Sequence, residues 1–175
     1  GANIIDVKTG KPYLKPYTII ERKDVKVAVI GMLTPAIPNW LTKDVYAGLR
    51  FEELVSSTRK WVEHVQANEK PDVIIALLHS GLSGGIVTDD YEENASKSVA
   101  ANVAGIDAIM FGHDHRTYNG WVKNPEGKDV LLINPANNAR NIAEAIITVT
   151  KKGGKVISKS ILKCIDYIYK NILIL

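Results

Sequence analysis

Apolar positions fall into two alternating patterns along the chain. Lys26 to Leu33 (KVAVIGML) is a short, nearly continuous apolar run ended by Thr34-Pro35, and it predicts a buried strand. Asp72 to Leu78 (DVIIALL) and Asp107 to Phe111 (DAIMF), the latter ended by Gly112, predict two more. Between the first two runs, Phe51, Leu54, Val55, Trp61, Val62 and Val65 line one helix face, and Pro71 forces a stop. Ala95, Val99 and Val103 stand four apart and predict a second helix over about Asn94 to Val103. Ala36 to Trp40 reads as loop, because Pro35 and Pro38 oppose both helix and ladder pairing.

Beyond Phe111 the pattern changes. Val130 to Ile133, Ile142 to Thr150 and Val156 to Leu162 predict strands, the last two joined by a hairpin turn at Gly153-Gly154. Ile165 to Leu175 is apolar and aromatic with scattered Lys, and reads as a terminal strand or as a helix leading onward. The sum is one mixed α/β domain.

Composition narrows the classes. With 46% hydrophobic and 23% charged residues over 175 positions, the chain is no disordered tail, and the single Cys164 excludes a disulfide scaffold. A net charge of +3 without a Lys/Arg block gives no sign of a nucleic-acid partner. Apolar runs of about eight residues fall well short of the roughly 18–20 that a membrane span needs. The chain opens Gly1-Ala2-Asn3-Ile4, with neither an initiator Met nor a signal peptide, and is expected to be the interior of a longer chain.

Candidate chemistry lies where two of the strong strands end. Leu78-His79-Ser80-Gly81 and Gly112-His113-Asp114-His115 place three of the four histidines at carboxyl ends of strands, where ligands collect in α/β sheets. Imidazole is the commonest side-chain metal ligand, and Gly81 and Gly112 are read as leaving room for an ion to approach. His64, late in the first helix, reads as a solvated helix residue. Asp114 is either a partner orienting a ligand imidazole or a solvent-facing loop residue. Gly81 to Gly85 reads as a mobile loop near the site, since it lacks the Lys-Ser/Thr ending of a phosphate-binding loop. Asp89-Asp90 and Glu92-Glu93 form an acidic run, read as a solvated face or a gatherer of cations. Asn94 is a candidate helix cap, and Arg140 is read as part of a polar turn.

Taken in order, Val27 to Pro35, Leu78-His79-Ser80-Gly81, Glu93-Asn94-Ala95, Ala104 to Ile109 and Gly112-His113-Asp114-His115 resemble the calcineurin-like metallophosphoesterases. The match is to the branch of 5′-nucleotidases and 2′,3′-cyclic-nucleotide 2′-phosphodiesterases, and runs from about Ala2 to Lys163. It implies the C-terminal half of a four-layer α/β/β/α sandwich: residues 1–163 would be part of a catalytic domain, and 164–175 a segment leading toward an absent region. It also implies that His79 and His113 ligate one metal and His115 the other, in a centre of two divalent cations (Zn, Mn, Fe or Co) that activates water against a phosphate ester. The family's Asp-x-His pair, bridging Asp and Asn-His pair have no counterpart here, so the catalytic residue acting on the leaving group is expected upstream. The C-terminal nucleotide-recognition domain is missing as well. Alone, the chain is expected to be inactive and to hold no metal or one. The resemblance implies nucleotide substrates and a periplasmic or cell-surface location. Two other readings stay open: a non-catalytic metal- or phosphate-binding module, and a structural zinc site using the three histidines and Cys164.

Overall fold

The computed structural model describes residues 1–167. In chain order its elements are β1 (Ile4–Asp6), β2 (Tyr17–Arg22), β3 (Val25–Leu33), a 3₁₀ turn (Ile37–Asn39), β4 (Leu49–Phe51), α1 (Leu54–Asn68), β5 (Val73–His79), β6 (Gly84–Val87), β7 (Glu92–Asn94), α2 (Ser96–Asn102), β8 (Ala108–Phe111), β9 (Thr117–Lys123), β10 (Asp129–Pro135), β11 (Asn141–Lys152) and β12 (Lys155–Tyr167). Six strands form one sheet in the order β2-β3-β5-β8-β10-β9. Its middle four run parallel, and β2 and β9 close the two edges antiparallel.

The three continuous apolar runs become β3, β5 and β8, side by side in the centre. Ile74, Ala76 and Leu78 of β5 pack with Ile30, Met32 and Ile109 beneath Leu54, Val62 and Val65 of α1 and Val99 and Ala100 of α2. Alternate residues of the same strands face the other way, where Leu77 is 52% exposed. The β11–β12 hairpin turns at Gly153-Gly154 as expected and packs against β9 and β10. Residues 164–167 continue β12; the remainder of the predicted terminal segment lies outside the described residues.

Two boundaries differ from expectation. Phe51 is a strand residue paired with Ile4, and α1 begins only at Leu54, because the Glu53 carboxylate accepts the amides of Val55 and Ser56 and so caps the helix. Asn94 belongs to β7 and does not cap α2; its Oδ1 instead accepts the Gly81 amide at 2.8 Å.

Candidate functional site

Parallel pairing aligns the strand ends. Leu33 of β3 lies opposite His79 of β5, and Leu78 opposite Phe111 of β8, so the segments that follow all emerge on one rim of the sheet. There the rings of His79 and His113 meet edge to face, with centroids 5.0 Å apart. The His113 ring also leans on Trp40, at 5.4 Å, and Trp40 itself is 45% exposed. His115 is exposed and close enough to act on His79 electrostatically. His79 is exposed, yet the desolvation it does undergo, and then the proximity of His113 and His115, lower its pKa below the ordinary imidazole value. His79 is therefore the neutral, electron-donating form at neutral pH.

The backbone at this rim is strained. His113 has φ +89° and His115 φ +58°, a region that non-glycine residues avoid at a cost of about 1–3 kcal/mol each. What holds it is a set of polar clamps. Asp114 Oδ2 accepts the Leu82 amide at 2.8 Å, and Oδ1 accepts the Asn134 side-chain amide at 2.8 Å. Asp114 thus orients no imidazole and does not face solvent freely; it ties the β5 and β8 loops to the end of β10. The glycine-rich loop is pinned, contrary to the mobile reading. Its Gly81 and Leu82 amides go to Asn94 and Asp114, and the Ile86 amide just beyond it goes to Glu93, which leaves none of these three amides to cradle a phosphate.

The glycines act differently from each other. A Cβ on Gly81 would stand 2.4 Å from Asn94 Oδ1 and 2.7 Å from Asp114 Cβ, so that glycine serves close packing of the loops. A Cβ on Gly112 would meet nothing within 4 Å.

Sequence reading missed Glu93 as part of the site. Its Oε1 lies 2.9 Å from His113 Nε2, and the side chain is only 14% exposed, so this end of the acidic run is no solvated face. The signal was the Glu93-Asn94-Ala95 block, which runs from β7 to the residue before α2 and which neither charge nor spacing explains. His64 lies apart from the site, exposed at the end of α1 with its ring against Trp61. Trp61 ties α1 to the first residues of the chain, its indole N–H donating to the Ala2 carbonyl. Arg140 is exposed on the turn after β10. Cys164 pairs with Glu144 in the hairpin, and its side chain lies outside the described set.

Two imidazoles in ring contact, one of them held neutral, suit a borderline divalent cation. Among the described residues no three His, Cys, Asp or Glu side chains close around a common point. The donor set fits part of a metal shell and not a whole one. Also among the described residues, no helix is long and apolar enough to cross a membrane.

Comparison with known proteins identifies the family and the fold. The chain is 31% identical over 159 residues to a 2′,3′-cyclic-nucleotide 2′-phosphodiesterase/3′-nucleotidase of Yersinia enterocolitica, covering 85% of this chain and 22% of that protein. The Salmonella typhimurium protein of the same description is 34% identical over 159 residues, with 85% and 23% covered. The chain thus spans less than a quarter of the length of these curated relatives. The calcineurin-like phosphoesterase YfkN of Bacillus subtilis superposes with a TM-score of 0.75 at 26% identity, covering 97% of this chain and 55% of that one. The NAD nucleotidase of Haemophilus influenzae shares the fold, with a TM-score of 0.71 at 19% identity over 95% of this chain and 30% of its own. The calcineurin-like phosphoesterase profile matches residues 10–117, more than half of the sequence, and the chain belongs to that family.

Proposed function

We propose that this chain supplies the histidine side of the active site of a metal-dependent phosphoesterase. The protein it belongs to hydrolyses nucleotide phosphomonoesters or 2′,3′-cyclic phosphodiesters. The observation that carries the reading is the meeting of His79 and His113 at the carboxyl rim of a parallel sheet, beside His115 on a strained turn. Residues 1–163 form part of the catalytic domain, and 164–175 lead toward the remainder of the protein. His79 and His113 would hold one divalent cation and His115 a second. When bound, such a pair supplies an activated water and neutralises charge on phosphoryl oxygens. The carboxylates that complete the shell, and the residue that acts on the leaving group, come from chain outside these 175 residues, as does recognition of the base. A periplasmic or cell-surface location accords with this role.

The test compares the complete protein with residues 1–175. Metal content is measured by plasma emission spectroscopy, and hydrolysis with 2′,3′-cyclic AMP, 3′-AMP, 5′-AMP and p-nitrophenyl phosphate. The complete protein is expected to carry divalent metal and turn over at least one nucleotide, and the 175-residue chain to show no turnover. Turnover by the shorter chain alone would contradict the division of the site. Metal without turnover in both would favour the second reading, a non-catalytic metal- or phosphate-binding module.

A further inference from the structure

We propose that Glu93 is a positioning residue: by accepting Nε2–H of His113 it fixes that ring's tautomer and leaves Nδ1 as the nitrogen that binds the cation. The proposal rests on the reading of His113 as a ligand.

A carboxylate only accepts hydrogen bonds, so a ring nitrogen 2.9 Å from Glu93 Oε1 must carry the proton. In neutral imidazole the other nitrogen then holds the lone pair, and a ligand histidine whose second nitrogen donates to a carboxylate is oriented and made more basic. Glu93 is itself immobilised. Its Oε2 accepts the Ile86 amide at 2.7 Å, and its backbone carbonyl accepts the hydroxyls of Thr34, at 2.9 Å, and Ser80, at 2.8 Å. Thr34 follows β3 and Ser80 follows β5, so the backbone that carries this carboxylate is tied to the ends of two neighbouring strands, one of which presents His79. Both of its oxygens are engaged within the chain, which suits a residue that works through His113 better than one that ligates directly. The φ of +89° at His113 completes the argument. The chain holds an unfavourable backbone conformation and couples the ring to a fixed acceptor, which sets both its direction and its protonation.

The test uses the complete protein labelled with 15N-histidine. Stripped of metal, it should show His113 protonated at Nε2 and unprotonated at Nδ1 in two-bond proton–nitrogen spectra. Glu93→Gln keeps an acceptor for Ile86 but can also donate; it should give a mixed His113 tautomer and weaken Zn²⁺ binding by about 10–100-fold in a competition titration. A wild-type His113 protonated at Nδ1 would overturn the proposal, as would a Glu93→Gln protein with unaltered tautomer and Zn²⁺ affinity. Should that variant fail to fold, the wild-type tautomer decides alone. Zn²⁺ binding by His113→Ala separates the two ideas. If His113→Ala loses Zn²⁺ while Glu93→Gln keeps it, only the role of Glu93 falls; if His113→Ala binds Zn²⁺ as tightly as wild type, the ligand reading falls with it.

Discussion

Both rims of the central sheet carry polar and charged side chains, and the chain treats the two sets in opposite ways. At the amino rim, Asp72 and Asp107 precede β5 and β8. Asp72 accepts the Lys26 amide and the Lys151 ammonium, each at 2.8 Å, while Asp107 accepts the Ile74 amide and pairs with Lys159. Lys151 and Lys159 both come from the β11–β12 hairpin, so the chain closes this end with its own charges. At the carboxyl rim, His79, His113 and His115 follow the same strands, and two of them stand on left-handed backbone. There, among the described residues, Glu93 is the carboxylate that meets an imidazole, and Asn141, which opens β11 and donates to the Pro135 carbonyl at the end of β10, has a buried Oδ1 with no partner. Polar groups satisfied within the chain are architecture. Polar groups held under strain and left with open valences are where a fold has kept capacity for something else.

The largest effect that would break this contrast is at His113. In the complete protein, His113→Ala should lower phosphoester hydrolysis by more than about 100-fold, beyond what loss of an outer partner alone costs. Wild-type turnover in that variant would mean the carboxyl rim is no more functional than the amino one. The metal-free stabilities of His113→Gly and His113→Ala sharpen the same point. Glycine normally destabilises relative to alanine, but at φ +89° the order should reverse by about 1 kcal/mol in chemical denaturation.

Gly81→Ala comes next. Its Cβ must displace Asn94 or Asp114, the two clamps that seat both histidine loops, and overpacking of this kind costs about 1–3 kcal/mol. Loss of stability and of metal affinity together is the expected result. A variant with unchanged melting temperature would show that the clamps are looser than their distances suggest.

How much of this was legible beforehand divides along physical lines. β3, β5 and β8 were readable because strands buried in the middle of a parallel sheet must be apolar throughout, and α1 and α2 because one face of each meets that sheet. β1, β4, β6 and β7 were not, since three- and four-residue strands pair through backbone and leave little side-chain signature. Glu92-Glu93-Asn94 even reads as an acidic surface. β9, Thr117–Lys123, alternates half-buried with exposed positions on an antiparallel edge and carries Asn119 and Gly120 in its middle, which masks the period. In the site, the histidines announced themselves by standing at strand ends. Their partner did not, because Glu93 in β7 meets His113 across twenty positions of chain that include α2 and β8, and no local spacing encodes that contact.

At the amino rim, Lys151→Met should cost about 1–2 kcal/mol, between the values for exposed and fully buried pairs, since the two side chains are 17% and 13% exposed. Burial pushes the Asp72 pKa upward; Lys151, the Lys26 amide and Lys159 outweigh it and hold the carboxyl below its ordinary value of 3.8. A depressed carboxylate contributes stability above its unfolded pKa and loses it as pH falls through the folded one. The acid limb of urea stability below about pH 4 should therefore be shallower in Asp72→Asn than in wild type. Identical limbs would mean the hairpin is not fastened electrostatically, and the contrast between rims would lose its amino-side half.

The smallest expected effect bears most directly on what the open rim is for. Gly112 has an ordinary backbone conformation, and a Cβ there would point into free space. It lines a cavity of about 380 Å³ with Leu77, His79, Met110 and Ile133, under Ala143 of the hairpin. Nothing in the folded chain requires glycine, so Gly112→Ala should change stability by no more than about 0.5 kcal/mol in chemical denaturation. A loss above 1 kcal/mol would show that this rim is packed by the chain itself, as the other is. If stability holds and Zn²⁺ affinity falls tenfold, the space belongs to the approach of the ion; if both hold, the ion approaches from the His115 side, and glycine at this position reflects only the turn out of β8.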